Sequence, residues 1–146
     1  MKIVLDTNLL IDGSADDNNF GNRIIDAVLD GKVSTYTNRQ TLAENRLLAR
    51  RKISDTAYLE KLNKFFDEVN LVETSSHVQV VEDPEDNKIL ESAVDSGAEF
   101  LVTSDHHLLK LEEYDGVKIV TPSGFWQEFE EERNLGWANW LRDFIK

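Results

Sequence analysis

The residues best suited to chemistry in this 146-residue chain are carboxylates, and they fall at separated points. Asp6 ends the short apolar run at 2–5, and Thr7 and Asn8 follow it. Ser104 and Asp105 follow a second apolar run at 100–103. Asp83 and Asp86 open the helical pattern that precedes that second run, and Glu44 lies about two turns into the helical pattern that follows 33–36. The chain has no cysteine and 3 histidines, which excludes a disulfide scaffold, a Cys-ligated zinc site and a thiol nucleophile. Carboxylates gathered at one place repel and take up protons unless a cation neutralises them. An all-oxygen donor set favours a hard ion, Mg²⁺ or Mn²⁺, and such ions activate water toward phosphate esters. The chemistry these residues point to is metal-dependent phosphoryl transfer. Each also has an ordinary use: Asp6, Asp86 (with Asp83) and Asp105 as helix caps or turn residues, Glu44 as a solvated helix residue. Their recurrence at strand ends is what singles them out.

Position matters because, in a parallel α/β sheet, ligands bind at the carboxyl ends of the strands, where the following helices also begin. The elements expected are these. Short apolar runs at 2–5, 33–36, around 71–72, at 100–102 and at 117–120 read as five strands. Between them, Phe20, Ile24, Val28 and Leu29 recur at helical spacing and end at Gly31. Thr37 with Gln40 three residues on reads as a capping box opening a helix to about residue 51. Leu59, Leu62, Phe66 and Val69 make a further stripe, and residues 74–82 read as a connection. Asp83 and Pro84 start a helix whose buried face is Ile89, Leu90, Ala93 and Val94 and which ends at Gly97. This alternation predicts an α/β fold with a mainly parallel five-stranded sheet flanked by helices. A chain of 146 residues holds one such domain, with its core over about 1–126. The segment 127–146 differs: Glu128, Glu130, Glu131 and Glu132 precede Trp137, Trp140, Leu141, Phe144 and Ile145, which share one face of an amphipathic helix. That face suits packing on the domain or an interface with another molecule.

The composition sets a tension. Lys+Arg 16 against Asp+Glu 28 gives a formal charge of −12, which opposes a nucleic-acid partner at long range. The positive minority is nevertheless clustered: Arg39, Arg46, Arg50, Arg51 and Lys52 lie on or just after the Glu44 helix, with Arg46 and Arg50 on one face. Beside an acidic metal site they would position flanking phosphates; otherwise they complement the helix dipole. No apolar run reaches membrane-spanning length, and the first residues do not follow a signal-peptide pattern, so a cytoplasmic location is expected.

Taken in order, the carboxylate segments resemble a known family. Leu5-Asp6-Thr7-Asn8-Leu9-Leu10 resembles the opening motif of PIN domains, and Thr41-Leu42-Ala43-Glu44 resembles their second acidic position. Asp83-Pro84-Glu85-Asp86-Asn87 and Gly97-Ala98-Glu99-Phe100-Leu101-Val102-Thr103-Ser104-Asp105 are similar to the two remaining segments, so the resemblance covers roughly residues 1–126. It implies a Rossmann-like sheet and a Mg²⁺- or Mn²⁺-dependent ribonuclease, with Asp6, Glu44, Asp86 and Asp105 as catalytic metal ligands. Asp83 competes with Asp86 for the third position; Asp86 directly precedes Asn87 and matches the motif better. Asn8 and Ser104 match polar positions that orient ligands or water. His107 stands where many relatives carry a second Asp, a departure that bears on an auxiliary metal contact and not on the core site; His106 and His107 read as surface residues, with substrate contact as the alternative. Small members of this kind look like VapC-type toxins, so the implied partners are RNA, a cognate antitoxin and a second copy of the chain. A catalytically idle PIN-like scaffold acting through protein partners is the alternative. A haloacid-dehalogenase phosphatase needs an Asp where Asn8 stands, and Glu73 and Lys118 do not supply a response-regulator receiver's site.

Overall fold

The computed structural model describes residues 1–12 and 19–145. Its elements run β1 (Lys2–Leu5), α1 (Thr7–Asp12), α2 (Phe20–Leu29), β2 (Ser34–Thr37), α3 (Arg39–Lys52), α4 (Thr56–Glu68) and β3 (Asn70–Leu71). They continue with α5 (Pro84–Ser96), β4 (Phe100–Val102), α6 (His106–Leu109), β5 (Glu113–Tyr114), β6 (Val117–Val120) and α7 (Pro122–Ile145). The strands form one sheet in the order β3-β2-β1-β4-β6-β5, parallel except for the β5–β6 pair. This is the expected α/β architecture with six strands in place of five. The added strand is an edge hairpin, closed by Asp115 and Gly116 at φ 47° and 83°. An Asp-Gly pair at positive φ is the turn chemistry that joins antiparallel strands. Glu113–Tyr114 is too short to show an alternating pattern.

Side chains alternate across the sheet and build two cores. Ile3, Leu5, Phe100 and Val102 point to the layer of α2, α4 and α7, where Ile24, Ile25, Leu62, Phe65 and Phe125 are buried. Val4, Leu101, Val117 and Ile119 point the other way, onto Leu90 and Ala93 of α5 and Leu108 of α6. Each fully buried side chain of this size contributes about 1.5–3 kcal/mol, so the layers, and not helix propensity, hold the sheet edge in place. Phe129 is also buried, so the core extends one turn further along α7 than residue 126.

The chain runs from β1 outward to β2 and β3, then returns to lay β4 on the other side of β1. The order in which strands are added therefore reverses between β1 and β4, in the centre of the sheet, while the two strands themselves run parallel. Leu5 pairs with Val102 there, and the Asp6 N–H donates to the Val102 carbonyl at 2.9 Å.

The helix caps fix what stands at this edge. Asp83 caps α5, with Pro84 as its first residue, and Gly97 closes it in the left-handed region at φ 69°. At the start of α3 the structure corrects the capping box: the cap is Asn38 and not Thr37. Thr37 is still paired in β2, so the first free position is the next residue. The Asn38 side chain accepts from the Thr41 N–H at 2.8 Å and donates through Nδ2 to Ser92 Oγ of α5 at 2.9 Å. One residue thus caps α3 and ties it to α5. Asn38→Ala is expected to lower unfolding stability by about 1–2 kcal/mol, read as a lower urea midpoint at unchanged slope. A midpoint equal to the parent's would show that neither bond contributes.

Candidate active site

Asp6 is 4% exposed, immediately beyond β1. Its Oδ1 accepts from the Asn8 N–H at 3.3 Å, which starts α1, and its Oδ2 accepts from Thr103 Oγ1 at 2.7 Å. Thr103 is fully buried just beyond β4, and the same Oγ1 accepts the Asp105 N–H at 3.0 Å. A buried carboxylate needs such donors, because an unpaired charge out of water is strongly unfavourable. Thr103 therefore locks Asp6 and the backbone of Asp105 in one register across the strand reversal. Asp105 is half-buried and caps α6, accepting the His107 N–H at 2.8 Å. The cap readings of Asp6, Asp83 and Asp105 all hold, and they are what aims these side chains.

Asp86 reaches the same place from the first turn of α5 and is 8% exposed. Burial, then the charge of Asp105, then those of Asp83 and Asp6, push its carboxyl up to about 6. A hydrogen bond between the Asp86 and Asp105 side chains acts in the same direction. Asp6, Asp86, Asp105 and Asp83 are therefore one electrostatic group, with Asp83 at its exposed rim. Glu44 stands apart: it is exposed on α3, its Oε1 lies 3.4 Å from Gln40 Nε2, and it is not among the charges acting on Asp86.

By donor chemistry this group suits a hard divalent cation. Among the described residues, however, no three Asp, Glu or His side chains converge closely enough to ligate one ion as they stand. An ion here would take one or two carboxylates and complete its shell with water, as magnesium commonly does. Asn8 and Ser104, both exposed, line an adjoining recess of about 440 Å³ with Asn19, Phe20 and Ser123. Thr103 was not singled out by sequence; its signal was a β-branched hydroxyl as the last buried residue before Ser104.

The basic residues separate. Arg46 is committed to α4, with its Nη2 3.1 Å from Asp67 Oδ1 and its guanidinium 5.5 Å from the centre of the Phe66 ring. Arg50 and Arg51 are exposed in the last turn of α3. Arg39, at its start, lines a groove of about 460 Å³ with Gln40, Thr74, Lys88 and Glu91. His106 and His107 are exposed.

Asn87 has a structural role. Its Oδ1 accepts from the Val80 and Val81 N–H groups and its Nδ2 donates to the Val81 carbonyl. Glu91 accepts from Val78 and Asp95 from Ser75 and Ser76, so three residues at i, i+4, i+8 of α5 staple the 75–81 connection to the helix. The Ser76 hydroxyl, which also donates to Asp95, and then the Ser76 and Ser75 N–H groups hold the Asp95 carboxyl below its usual range.

The raised Asp86 pKa has a definite sign. Its protonated form favours the fold, so its contribution to stability is lost as pH rises from 3.8 through about 6. In metal-free buffer, Asp86→Asn is expected to raise Tm at pH 7.5 by on the order of 2–4 °C and to leave it nearly unchanged at pH 4. A variant less stable than the parent at pH 7.5 would contradict this account.

Comparison with known proteins agrees with the architecture. A solved structure, VapBC2 from Rickettsia felis bound to a DNA fragment from its promoter, matches with TM-score 0.57 and 14% identity, covering 82% of this chain and 97% of that one. An uncharacterized protein of Methanocaldococcus jannaschii, MJ1680, is 26% identical over 145 residues, spanning 90% of this chain and 93% of the relative. The family profile of the PIN domain matches residues 2–107, from the first strand to the residue after the α6 cap and its neighbour, and the chain belongs to the PIN domain family.

Proposed function

We propose that this protein is a Mg²⁺- or Mn²⁺-dependent ribonuclease and the toxin half of a toxin–antitoxin pair. The observation that carries the reading is the group of Asp6, Asp86 and Asp105 where the strand order reverses, in which burial and then the charges of Asp105, Asp83 and Asp6 push Asp86 up to about 6. Open α/β sheets bind their ligands at such a reversal. A divalent ion there would be held by Asp6 and Asp105, with Asp86 and Glu44 acting directly or through water. When bound, it would supply charge neutralisation at the phosphate and activation of water. The protein's own part is positional. Thr103 fixes the Asp6 carboxylate, the α6 cap fixes Asp105, and Asn8 and Ser104 offer amide and hydroxyl groups beside them.

RNA would approach along the α3–α5 side. Arg39 and Lys88 line the groove next to the site, and Arg50 and Arg51 lie farther along α3. Arg46 contributes less than its spacing suggests, because Asp67 and Phe66 already occupy it. The family membership and a fold neighbour that is VapBC2 bound to a promoter DNA fragment support a cognate antitoxin as partner. An antitoxin Arg or Lys entering the carboxylate group would silence it by the same charge logic. A cytoplasmic setting fits these partners.

A second reading, an idle PIN-like scaffold, is favoured by one observation: the carboxylates do not close a ligand shell as they stand. The two readings diverge on addition of metal. Saturating Mn²⁺ is expected to raise Tm, by mass action equivalent to about 2.7 kcal/mol at 100 times Kd, and to support cleavage of structured RNA that EDTA abolishes. Asp6→Asn is expected to remove cleavage with an unchanged circular dichroism spectrum. No Tm shift and no cleavage would establish the scaffold reading. Reversal of Arg39, Arg50 and Arg51 to Glu is expected to flatten the salt dependence of RNA binding by roughly 0.7 in log–log slope per lost contact. Arg46→Glu is expected chiefly to loosen α3 from α4.

A further inference from the structure

Phe20 stands apart from the stripe to which its spacing assigns it. Ile24 and Val28, one and two turns further along α2, are 0% and 5% exposed, whereas Phe20 is 37% exposed. A phenyl ring left in water forgoes the burial that fixes its neighbours. What Phe20 lines instead is the recess of about 440 Å³ beside the carboxylates, with Asn8, Asn19, Ser104 and Ser123 among its walls. None of the residues lining it is charged, in a chain that is 30% charged.

Local structure places each of these groups. Asn19 caps α2, its Oδ1 accepting the Gly21 N–H at 2.7 Å. A Cβ at Gly21 would lie 3.1 Å from that Oδ1, so a side chain there would press on the cap amide. Arg23 sets its guanidinium 5.2 Å from the centre of the Phe20 ring and so holds the ring in place. Asn8 and Ser104 tie the recess to the carboxylates: the Asn8 N–H donates to Asp6 Oδ1, and Ser104 directly precedes Asp105.

We propose, resting on the ribonuclease reading of those carboxylates, that this recess seats one unpaired nucleobase of a single-stranded RNA, next to the phosphate that is cut. An exposed aromatic ring is a stacking platform, and stacking accepts any base. Two primary amides and two hydroxyls supply both donors and acceptors, as the edge of a base requires. A phosphate would want cations, and those line the Arg39–Lys88 groove, which shares no residue with this recess. Size agrees: small-ligand pockets span about 300–1,000 Å³, and one ring serves one base. A base in a duplex has its edge already paired and its faces already stacked, so the substrate class is single strands, loops and bulges.

The test walks one abasic nucleotide through a single-stranded RNA. Parent kcat/KM is expected to fall about tenfold at one position beside the cut and to hold elsewhere. Phe20→Ala is expected to lose about tenfold on intact RNA and nothing further on that abasic RNA, whereas Phe20→Tyr keeps the parent's rate and its abasic response. A structural role for Phe20 would instead lower both substrates equally, and that result overturns the proposal. Binding is read separately with Asp6→Asn protein and RNA carrying one 5-iodouridine, which photocrosslinks to an aromatic ring stacked on it. The crosslink is expected to map to Phe20 and to vanish in Phe20→Ala. Cleavage by the parent with a flat abasic scan and no Phe20 crosslink overturns the base site and leaves the ribonuclease reading standing. A Phe20 crosslink without cleavage by the parent supports the base site and overturns the ribonuclease reading. Free 5-iodouridine that crosslinks as well as the RNA overturns the proposal in favour of a free nucleoside.

Discussion

A carboxylate that is 4% exposed in a chain of net charge −12 needs hydrogen-bond donors close at hand, and Asp6 finds a decisive one 97 residues away. The Thr103 hydroxyl can donate to Asp6 and accept from Asp105 only because β4 lies directly beside β1. That adjacency comes from the return of the chain after β3, and it is held by two apolar layers that alternate residue by residue along both strands. A hydrogen bond to a charged group is worth about 1.5–3 kcal/mol. The local bond and the global topology therefore support each other. Shifting either strand by one residue would turn Thr103 away from Asp6 and place core side chains on the wrong face.

The same crowding decides how the site responds to its surroundings. Three helix N-termini, those of α1, α5 and α6, meet at this edge, and their partial positive ends favour carboxylates there. Even so, burial first and then the charges of Asp105, Asp83 and Asp6 push Asp86 up to about 6. The remaining imbalance is met at low pH by a proton on Asp86, in a hydrogen bond with Asp105. Near neutral pH that proton is largely gone, and Asp86 adds its charge to those of Asp105, Asp83 and Asp6 at the place where open α/β sheets bind ligands.

Much of this was legible in the residues and some was not, for identifiable reasons. β1, β4 and β6 are apolar runs in the right order, and α5 announces both ends through Asp83-Pro84 and Gly97. Asp6, Asp86 and Asp105 follow from strand ends and helix starts alone, since parallel topology sends those ends to one edge. β5 escaped because two residues show no period, although Asp115-Gly116 marked its turn. Asn38 escaped because Thr37 offered an equally good capping pattern, and only the β2 register decides between them. Thr103 and the Asn87–Glu91–Asp95 staple escaped for a deeper reason. Their partners are set by packing, and no local pattern separates a buried bridging threonine from an ordinary strand residue.

Charge carries the last distinction. The value −12 describes the molecule at long range, but the acids and bases are not mixed. Glu128, Glu130, Glu131 and Glu132 are exposed on α7, which packs on α2 and β4, whereas Arg39, Arg50 and Arg51 lie on α3, which packs on α1 and α4. At 0.1 M salt the screening length is about 10 Å, shorter than α3 itself at about 1.5 Å per residue. A polyanion at the α3–α5 groove therefore feels Arg39, Lys88 and the carboxylate group far more than it feels the α7 acids. Arg46 shows how fine that balance is: its ion pair with Asp67 and its contact with Phe66 withdraw one cation from the face that sequence spacing alone assigns to it.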